Sequence, residues 1–556
     1  MKSKKKIKTV ANFAENLKNV IKGEISSDEK ELLAYSHDAS IFEVRPSVVV
    51  WPKDTEDIKN LVKWVASKKD SKPGLSLTAR SGGTDMTGGA LNDSIVIDFT
   101  AHFNQILEVG DSYATTQPGV FYRDFEKKTL EKDLLLPSYP ASREICTVGG
   151  MVANNSGGEK SLHYGKTENY VQELNVVLGD GEEYVFKALT PEELEQKKSG
   201  DNFESFIYRQ MYDLLESNYE LIKKARPNVS KNSAGYLLWN IWPVRQNFNL
   251  AQLFTGAQGT LGLITKIKFR LIKPKKYSRL LIIFLKNLKS LGELVNVVNK
   301  NEPESFESYD DHTFKLAIKI FPDLLKKMGI GAIFKFIPDV WAILTGGIPK
   351  MIMIVEFTGD DEEELMGRLE KCQKKVSAKF GTKTRVTKDE NDAQKYWTIR
   401  RESFNLLRKH VKGKKTAPFI DDVIVRPEYL PEFLPKLNAI LDQYKNYMVY
   451  TIAGHPGDGN FHIIPLMDLS DDKSRQIIPE LSEKVYNLVL EYHGSITAEH
   501  NDGLIRTPYL EKMYGPEVYK LFEKTKQIFD PKNIFNPRKK VGGDIDFAIK
   551  HINIQN

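Results

Sequence analysis

The chain has 556 residues, 41% apolar and 28% charged, with 37 Gly and 25 Pro, a usage that excludes disordered, collagen-like and low-complexity classes. Lys and Arg (80) exceed Asp and Glu (74) by six, too little over this length for a nucleic-acid-binding signature. The two cysteines, Cys146 and Cys372, exclude a disulfide framework, an iron–sulfur cluster and a four-thiolate zinc site, and they point to a reducing, cytoplasmic setting.

The start, MKSKKKIK, is followed by ANFAENLKNVIKGE rather than an apolar run, so it reads as a solvated basic tail and not as a signal peptide. Ser47 to Trp51 is a β-branched run. Asp54 is placed to cap a helix whose Ile58, Leu61, Val62 and Val65 repeat at helical spacing. Leu75 to Thr78 and Ser94 to Phe99 read as strands on either side of the glycine-rich ARSGGTDMTGGAL. Leu174 to Leu178 and Glu183 to Phe186 flank Gly179-Asp180-Gly181, a hairpin turn. From about Lys276, strand-like LLIIFL and MIMIVEF alternate with helical segments, which predicts a second α+β domain built on an antiparallel sheet. Later, the helix ending EYHG carries Val485, Leu488, Val489 and Tyr492 on one face with Gly494 as its C-cap, and SITAEH reads as a strand after it. The most apolar stretch, Met328 to Phe357, is broken by Lys335, Pro338, Asp339, Pro349 and Lys350, well short of the roughly 20 residues a membrane span needs. Domain boundaries are expected near 45, 275 and 505: an N-terminal segment (1–45), a first domain (46–275), a second (276–505) and a C-terminal segment (506–556).

Three glycine-rich segments carry the first chemical signal: Arg80 to Gly89, Thr147 to Gly158, and Gly256 to Gly262. Backbone without Cβ lets a pyrophosphate approach, and successive N–H groups form an anion nest. The first loop runs into a strand instead of a helix, and no GxxxxGKS/T occurs, so Rossmann and P-loop readings both fail on context. Together the loops suit a large phosphate-bearing cofactor. The second signal is His455-x6-His462 within GHPGDGNFH, with Glu499-His500 downstream. On a straight strand the odd offset sends the two rings to opposite faces, whereas a turn at Pro456-Gly457-Asp458-Gly459 lets them converge. Two imidazoles and a carboxylate suit Zn²⁺, Mn²⁺ or Fe²⁺; the plainer alternative is a pair of histidines capping a turn.

The ordered series PSVVVWPKDTEDI, ARSGGTDMTGGAL, TVGGMVANNSGG, GAQGTLGLITKIKF, AGHPGDGNFH, AEHNDG and FDPKNIFNP resembles the FAD-linked oxidase family, within the vanillyl-alcohol oxidase (PCMH-type) superfamily, and its D-lactate, glycolate and D-2-hydroxyglutarate dehydrogenase branch. The resemblance implies an α+β fold with a bipartite PCMH-type FAD-binding domain, a cap domain holding the substrate, and a C-terminal segment that returns to the flavin. It implies FAD contacts at Pro52; at Arg80, Ser81, Gly82, Gly83, Thr84, Asp85, Met86 and Gly88; at Pro118 and Gly119; at Thr147, Val148, Gly149 and Gly150; at Asn154, Ser156 and Gly157; and at Ile264 and Asn536. Thr84 stands where covalent members carry histidine, so non-covalent FAD is expected. Asp85, Gln258 and Arg538 depart from the family's small neutral residue, glutamate and glycine.

The same resemblance implies that His455, His462 and Glu499 ligate a divalent metal, zinc foremost, that His500 is the catalytic base, and that Arg401 binds the substrate carboxylate. Arg400 beside it reads as a solvated helix-face arginine. Dicarboxylate-specific members carry a lysine near Phe419 to Asp421, where this chain has PFIDD, so a small monocarboxylate 2-hydroxy acid is expected. The expected activity is that of an FAD-dependent 2-hydroxy-acid dehydrogenase passing electrons to quinone or a redox partner protein. Two alternatives are a non-redox flavin-dependent synthase related to ether-lipid synthase, whose histidine-rich loop this chain lacks, and a non-catalytic FAD-binding subunit. The lysine-bearing apolar segment Phe314 to Trp341 is a candidate for peripheral contact with a membrane.

Overall fold

The computed structural model describes residues 14–311, 349–389, 391–398, 400 and 413–554. Strands β1 (Glu24–Ser26), β2 (Val48–Trp51), β3 (Leu77–Arg80) and β4 (Ile95–Asp98) form a first sheet in the order β1-β2-β4-β3, with β2 and β3 both parallel to β4. Helix Thr55–Lys68 crosses between β2 and β3. Its N-cap Asp54 accepts from the Asp57 N–H, and its Ile58, Leu61, Val62 and Val65 pack on Val48, Val50, Ile95 and Ile97. Helical spacing and cap thus set this layer as the sequence predicts.

A second, antiparallel sheet runs β5 (Ile106–Val109), β6 (Tyr113–Thr116), β10 (Leu263–Arg270), β7 (Val171–Val177), β8 (Glu183–Leu189) and β9 (Phe248–Asn249). The β7–β8 hairpin turns through Gly179-Asp180-Gly181, where Gly181 is left-handed (φ 76) and donates to the Leu178 carbonyl. The chain near residue 535 comes back to the first sheet: the Leu77 N–H donates to Ile534 O at 2.7 Å, and Leu77 bridges Phe535 in parallel.

The third sheet is the antiparallel one expected after Lys276. It orders β14 (Lys383–Val386), β11 (Tyr277–Leu285), β13 (Met351–Gly359), β12 (Ser305–Asp310), β17 (Met448–His455), β18 (Asn460–Met467) and β15 (Lys415–Thr416), with β16 (Val423–Ile424) also on β18. Helices Leu291–Asn299, Glu362–Phe380, Leu430–Asp442 and Asp472–Glu491 bury their apolar faces in a core with this sheet. The α+β architecture is as the sequence implies.

Two local expectations are corrected. Helix Asp472–Glu491 ends through His493, the left-handed residue (φ 53), and not through Gly494, whose lack of a Cβ instead admits the Ile424 carbonyl. SITAEH is not a strand: Ser495 makes one isolated bridge to Ile424, and the amides of Glu499 and His500 are taken by a side chain, that of Asp422.

Candidate active site

The β17–β18 hairpin resolves the odd spacing of the two histidines. His455 ends β17 opposite Asn460, and His462 on β18 lies opposite Ala453, two residues before His455. Paired residues share a face and faces alternate by residue, so the turn over Pro456–Gly459 puts both rings on one face. Their Nε2 atoms are 3.2 Å apart, and Glu499 Oε2 is 3.6 Å from His455 Nε2. Metal bonds of about 2.1 Å hold neighbouring donors about 3.0–3.4 Å apart, so His455 lies near that spacing from both His462 and Glu499.

Each outward-facing imidazole nitrogen meets a carboxylate. His455 Nδ1 contacts Glu307, and His462 Nδ1 is 3.1 Å from Asp421 Oδ1. His500 stacks on His462 with ring centroids 5.0 Å apart, its Nδ1 3.1 Å from Asp421 Oδ2. One set of four potential metal donors, Asp422, His462, Glu499 and His500, lies with its ligand atoms within 4.8 Å of one another. Asp422, however, is committed: Oδ2 accepts from Thr497 Oγ1, Glu499 N and His500 N, and Oδ1 from Asn460 Nδ2. It shapes the backbone and is a poor ligand, which leaves His462, Glu499 and His500 of that set, with His455 Nε2 3.2 Å from His462 Nε2, as donors a cation could meet.

Charge points the same way. Glu307, Asp421, Asp422, Asp458 and Glu499 are all buried, and among the described residues the fixed cations near them include Lys166, Lys231, Arg400 and Arg506. Burial alone would depress both His455 and His500. Glu307 outweighs this at His455, and Asp422 with Asp421 outweigh it at His500, so each is pushed up to about 9. A divalent cation would supply the positive charge these carboxylates otherwise draw from imidazolium.

Sequence reasoning missed Glu307, Lys231, Asp458, Asp421 and Asp422 as members of this site. Lys231 is the buried partner of Glu499 Oε1 (2.7 Å) and Asp458 Oδ2 (2.8 Å). Arg400 is not a solvated arginine: its Nε and Nη2 each lie 3.1 Å from Glu307 Oε2, behind His455. Arg401 lies outside the described residues, as does Phe314 to Trp341. Among the described residues, no helix is long and apolar enough to cross a membrane.

The glycine loops converge beside this centre. Asn536, from the C-terminal segment, accepts from Thr78 Oγ1 and donates to the carbonyls of Gly89 and Gln258, joining the first and third loops. Thr147 caps helix Val148–Asn154 through Gly150 N, and Gly149 packs so closely on Pro118, next to Gly119, that an added Cβ would lie 2.4 Å from a proline carbon. Gly82 meets the Ile145 carbonyl with the same lack of room. Ser81 to Gly88 lie in the β3–β4 loop, which carries Gly83, Thr84 and Met86, Pro52 follows β2, and Ile264 lies in β10 opposite Val176. Ser156 accepts from Thr167, while Asn154 donates to the Glu499 carbonyl and a Cβ on Gly157 would come 3.3 Å from Glu499 Oε1. The second loop therefore abuts the metal-type site.

A test of cofactor fit lies in Arg80: its Nη1 is buried with no hydrogen-bond partner among the described residues, and burial pulls its pKa down. A guanidinium so placed in a glycine loop suits a phosphate oxygen. The departures from the family pattern also find physical reasons. Asp85 accepts from Thr87 N, Thr87 Oγ1 and Gly89 N, fixing its own loop. Gln258 accepts from Gly503 N and donates towards Thr87 and Asn154, which glutamate could not do. Arg538 is left-handed (φ 69), a conformation glycine adopts freely, and is held by Asp93 and the Phe547 ring.

Residues 46–187 match the FAD binding domain family, and residues 274–540 match the family of FAD linked oxidases, C-terminal domain. The chain is 27% identical over 534 residues to the D-2-hydroxyglutarate dehydrogenase of Pseudomonas putida, covering 95% of this chain and 51% of that protein. It thus spans about half the length of that curated relative. It is 26% identical over 519 residues to the glycolate oxidase subunit GlcD of Bacillus subtilis, covering 92% of this chain and 93% of that one. Among solved structures, 4-ethylphenol oxidase from Gulosibacter chungangensis superposes with a TM-score of 0.68 at 16% identity, over 97% and 98% of the two chains, a likeness of fold alone. With its FAD-binding domain in the first half and the matching C-terminal domain in the second, the chain belongs to the FAD-linked oxidase family.

Proposed function

We propose that the protein is an FAD-dependent dehydrogenase that oxidises a small D-2-hydroxy acid, such as D-lactate or glycolate, to the 2-keto acid. The observation that carries this reading is the convergence of His455, His462 and Glu499, with His500 stacked beside them, against the second glycine loop of the FAD-binding domain. His455, His462 and Glu499 would hold a divalent cation, zinc foremost with manganese or iron also fitting the donors. FAD is held non-covalently, since Thr84 offers no imidazole to the ring. When bound, FAD supplies a two-electron acceptor for the Cα hydride, and the metal supplies a Lewis acid that lowers the hydroxyl pKa. His500 takes the hydroxyl proton on Nε2 while Asp421 faces its Nδ1. Arg401 would grip the substrate carboxylate through a bidentate fork, and Lys231 keeps Glu499 ionised.

Asp421 and Asp422 favour a monocarboxylate. Both are buried and turned onto the histidine cluster, so the PFIDD segment offers no cation to a second carboxylate. Electrons then leave for a separate acceptor, a quinone or a redox partner protein.

The test is an anaerobic titration of the purified yellow protein with D-lactate, glycolate and D-2-hydroxyglutarate, following flavin absorbance. Bleaching by the monocarboxylates supports the reading, and bleaching by D-2-hydroxyglutarate alone overturns the substrate assignment. No bleaching by any of them overturns the activity.

A further inference from the structure

We propose that Asp421 is a positioning residue shared by the metal site and the proton acceptor, one carboxylate setting the orientation of both imidazoles. The proposal rests on the reading of His500 as the base and adds to it the residue that orients that base. Asp421 is 1% exposed, with Oδ1 3.1 Å from His462 Nδ1 and Oδ2 3.1 Å from His500 Nδ1. Asp421 Oδ2 and His500 Nδ1 are both buried and neither makes a hydrogen bond among the described residues, so the 3.1 Å ion-pair contact between them is the approach that a small turn of the His500 ring would close. The rings of His462 and His500 lie 20° from parallel, as expected of two imidazoles that each present Nδ1 to a different oxygen of one carboxylate.

The neighbouring aspartate does a different task. Asp422 binds the backbone N–H groups of Glu499 and His500 and so fixes where the segment runs, while the Asp421 side chain meets ring nitrogens among the described residues. The Asp421 backbone is itself held, its carbonyl accepting from the fully buried Arg506. Under this proposal the proton of each ring is on Nδ1, on the side facing Asp421, and its lone pair is on Nε2. That turns His462 Nε2 towards His455 Nε2 and leaves His500 Nε2 to receive the hydroxyl proton. The proton that arrives on Nε2 makes an imidazolium facing an ionised carboxylate, and the Nδ1 proton stays where it was.

The experiment compares Asp421→Asn, Asp421→Glu, His500→Ala and the double variant Asp421→Asn/His500→Ala, each as holoprotein with its FAD content measured. Stopped-flow flavin reduction by D-lactate gives the rate, and titration of the metal-free proteins with Co²⁺, read in the visible d–d bands, gives affinity without turnover. Asp421→Asn is expected to slow reduction by about 10²-fold with little change in KM and to weaken Co²⁺ binding about tenfold, the range seen when an orienting carboxylate is removed. Asp421→Glu, which keeps the charge, should recover part of the Co²⁺ affinity. The double variant should be no slower than His500→Ala, because Asp421 acts on the rate through that ring. Multiplying losses in the double variant, or an Asp421→Asn protein with full rate and unchanged Co²⁺ affinity, overturns the proposal. Full-rate reduction by His500→Ala overturns instead the reading of His500 as base, and with it the His500 half of the proposal.

Discussion

Replacing Lys231 by Met tests the electrostatic frame of the site apart from its chemistry. The ammonium sits 2.7 Å from Glu499 Oε1 and 2.8 Å from Asp458 Oδ2, and none of the three side chains is more than 6% exposed. Burial alone would lower the Lys231 pKa, but the two carboxylates outweigh it and raise it. Removing one partner of a buried pair costs about 3–5 kcal/mol, because a charge is left without compensation. Here two carboxylates lose one cation, while His455 remains 3.6 Å from Glu499 and takes up part of the deficit. The expected loss in Lys231→Met is therefore near the lower end, about 3 kcal/mol, read from urea unfolding of the metal-free protein. Adding Asp458→Asn removes one of the stranded charges and should recover about 1–2 kcal/mol, a coupling of the size contacting residues show. A loss below about 1 kcal/mol, or no recovery in the double variant, would refute the argument that this lysine is paired with both carboxylates.

Alanine at His455, His462 or Glu499 should abolish bound divalent metal and activity together, whereas His500→Ala should keep most of the metal and lose roughly 10²–10⁴ in turnover; elemental analysis with stopped-flow reduction separates the two classes. Acid precipitation should leave the yellow colour in the supernatant, since Thr84 cannot tether the flavin; colour in the pellet would contradict this. Burial, with Arg538 alongside, pulls the Lys539 ammonium down to about 7. The unfolded chain then binds more protons than the folded one between about pH 7 and 10.4, so stability rises with pH across that window, and Lys539→Met should flatten the rise in pH-dependent unfolding curves.

Local signals in the sequence proved legible where the physics is local. Asp54 and the spacing of Ile58, Leu61, Val62 and Val65 specify a capped amphipathic helix without help from elsewhere, and Gly179-Asp180-Gly181 specifies a hairpin. SITAEH misleads because its β-branched residues suit a strand, while the partner that claims its amides is the Asp422 side chain, 77 and 78 positions away from Glu499 and His500. The same holds at His493. A histidine takes the left-handed turn because the next residue must lack a Cβ to admit the Ile424 carbonyl, a demand set by packing.

The site divides along the same line. Residues proposed to carry the chemistry lie in short, unusual strings, GHPGDGNFH and AEHNDG, which the sequence displays. Residues that orient and neutralise them are scattered: Glu307 reaches His455 across 148 positions, and Lys231 reaches Glu499 across 268. Each nevertheless left a mark that physical reasoning can use. Asp421 and Asp422 interrupt an otherwise apolar run, and Glu307 sits in a strand buried on both faces, SFESYD. A charge in such a place has to be paired, because an unpaired buried carboxylate would instead be neutralised. The only cationic groups common near a metal-type site are arginine, lysine and imidazole, so a buried acid in this chain is itself a pointer to His455, His462 and His500. Under the proposed function, the acidic residues near position 421 would bear on substrate choice in two ways: they withhold a cation from a second carboxylate, and their own charge faces the imidazoles (Asp421) and the backbone of the Glu499–His500 segment (Asp422).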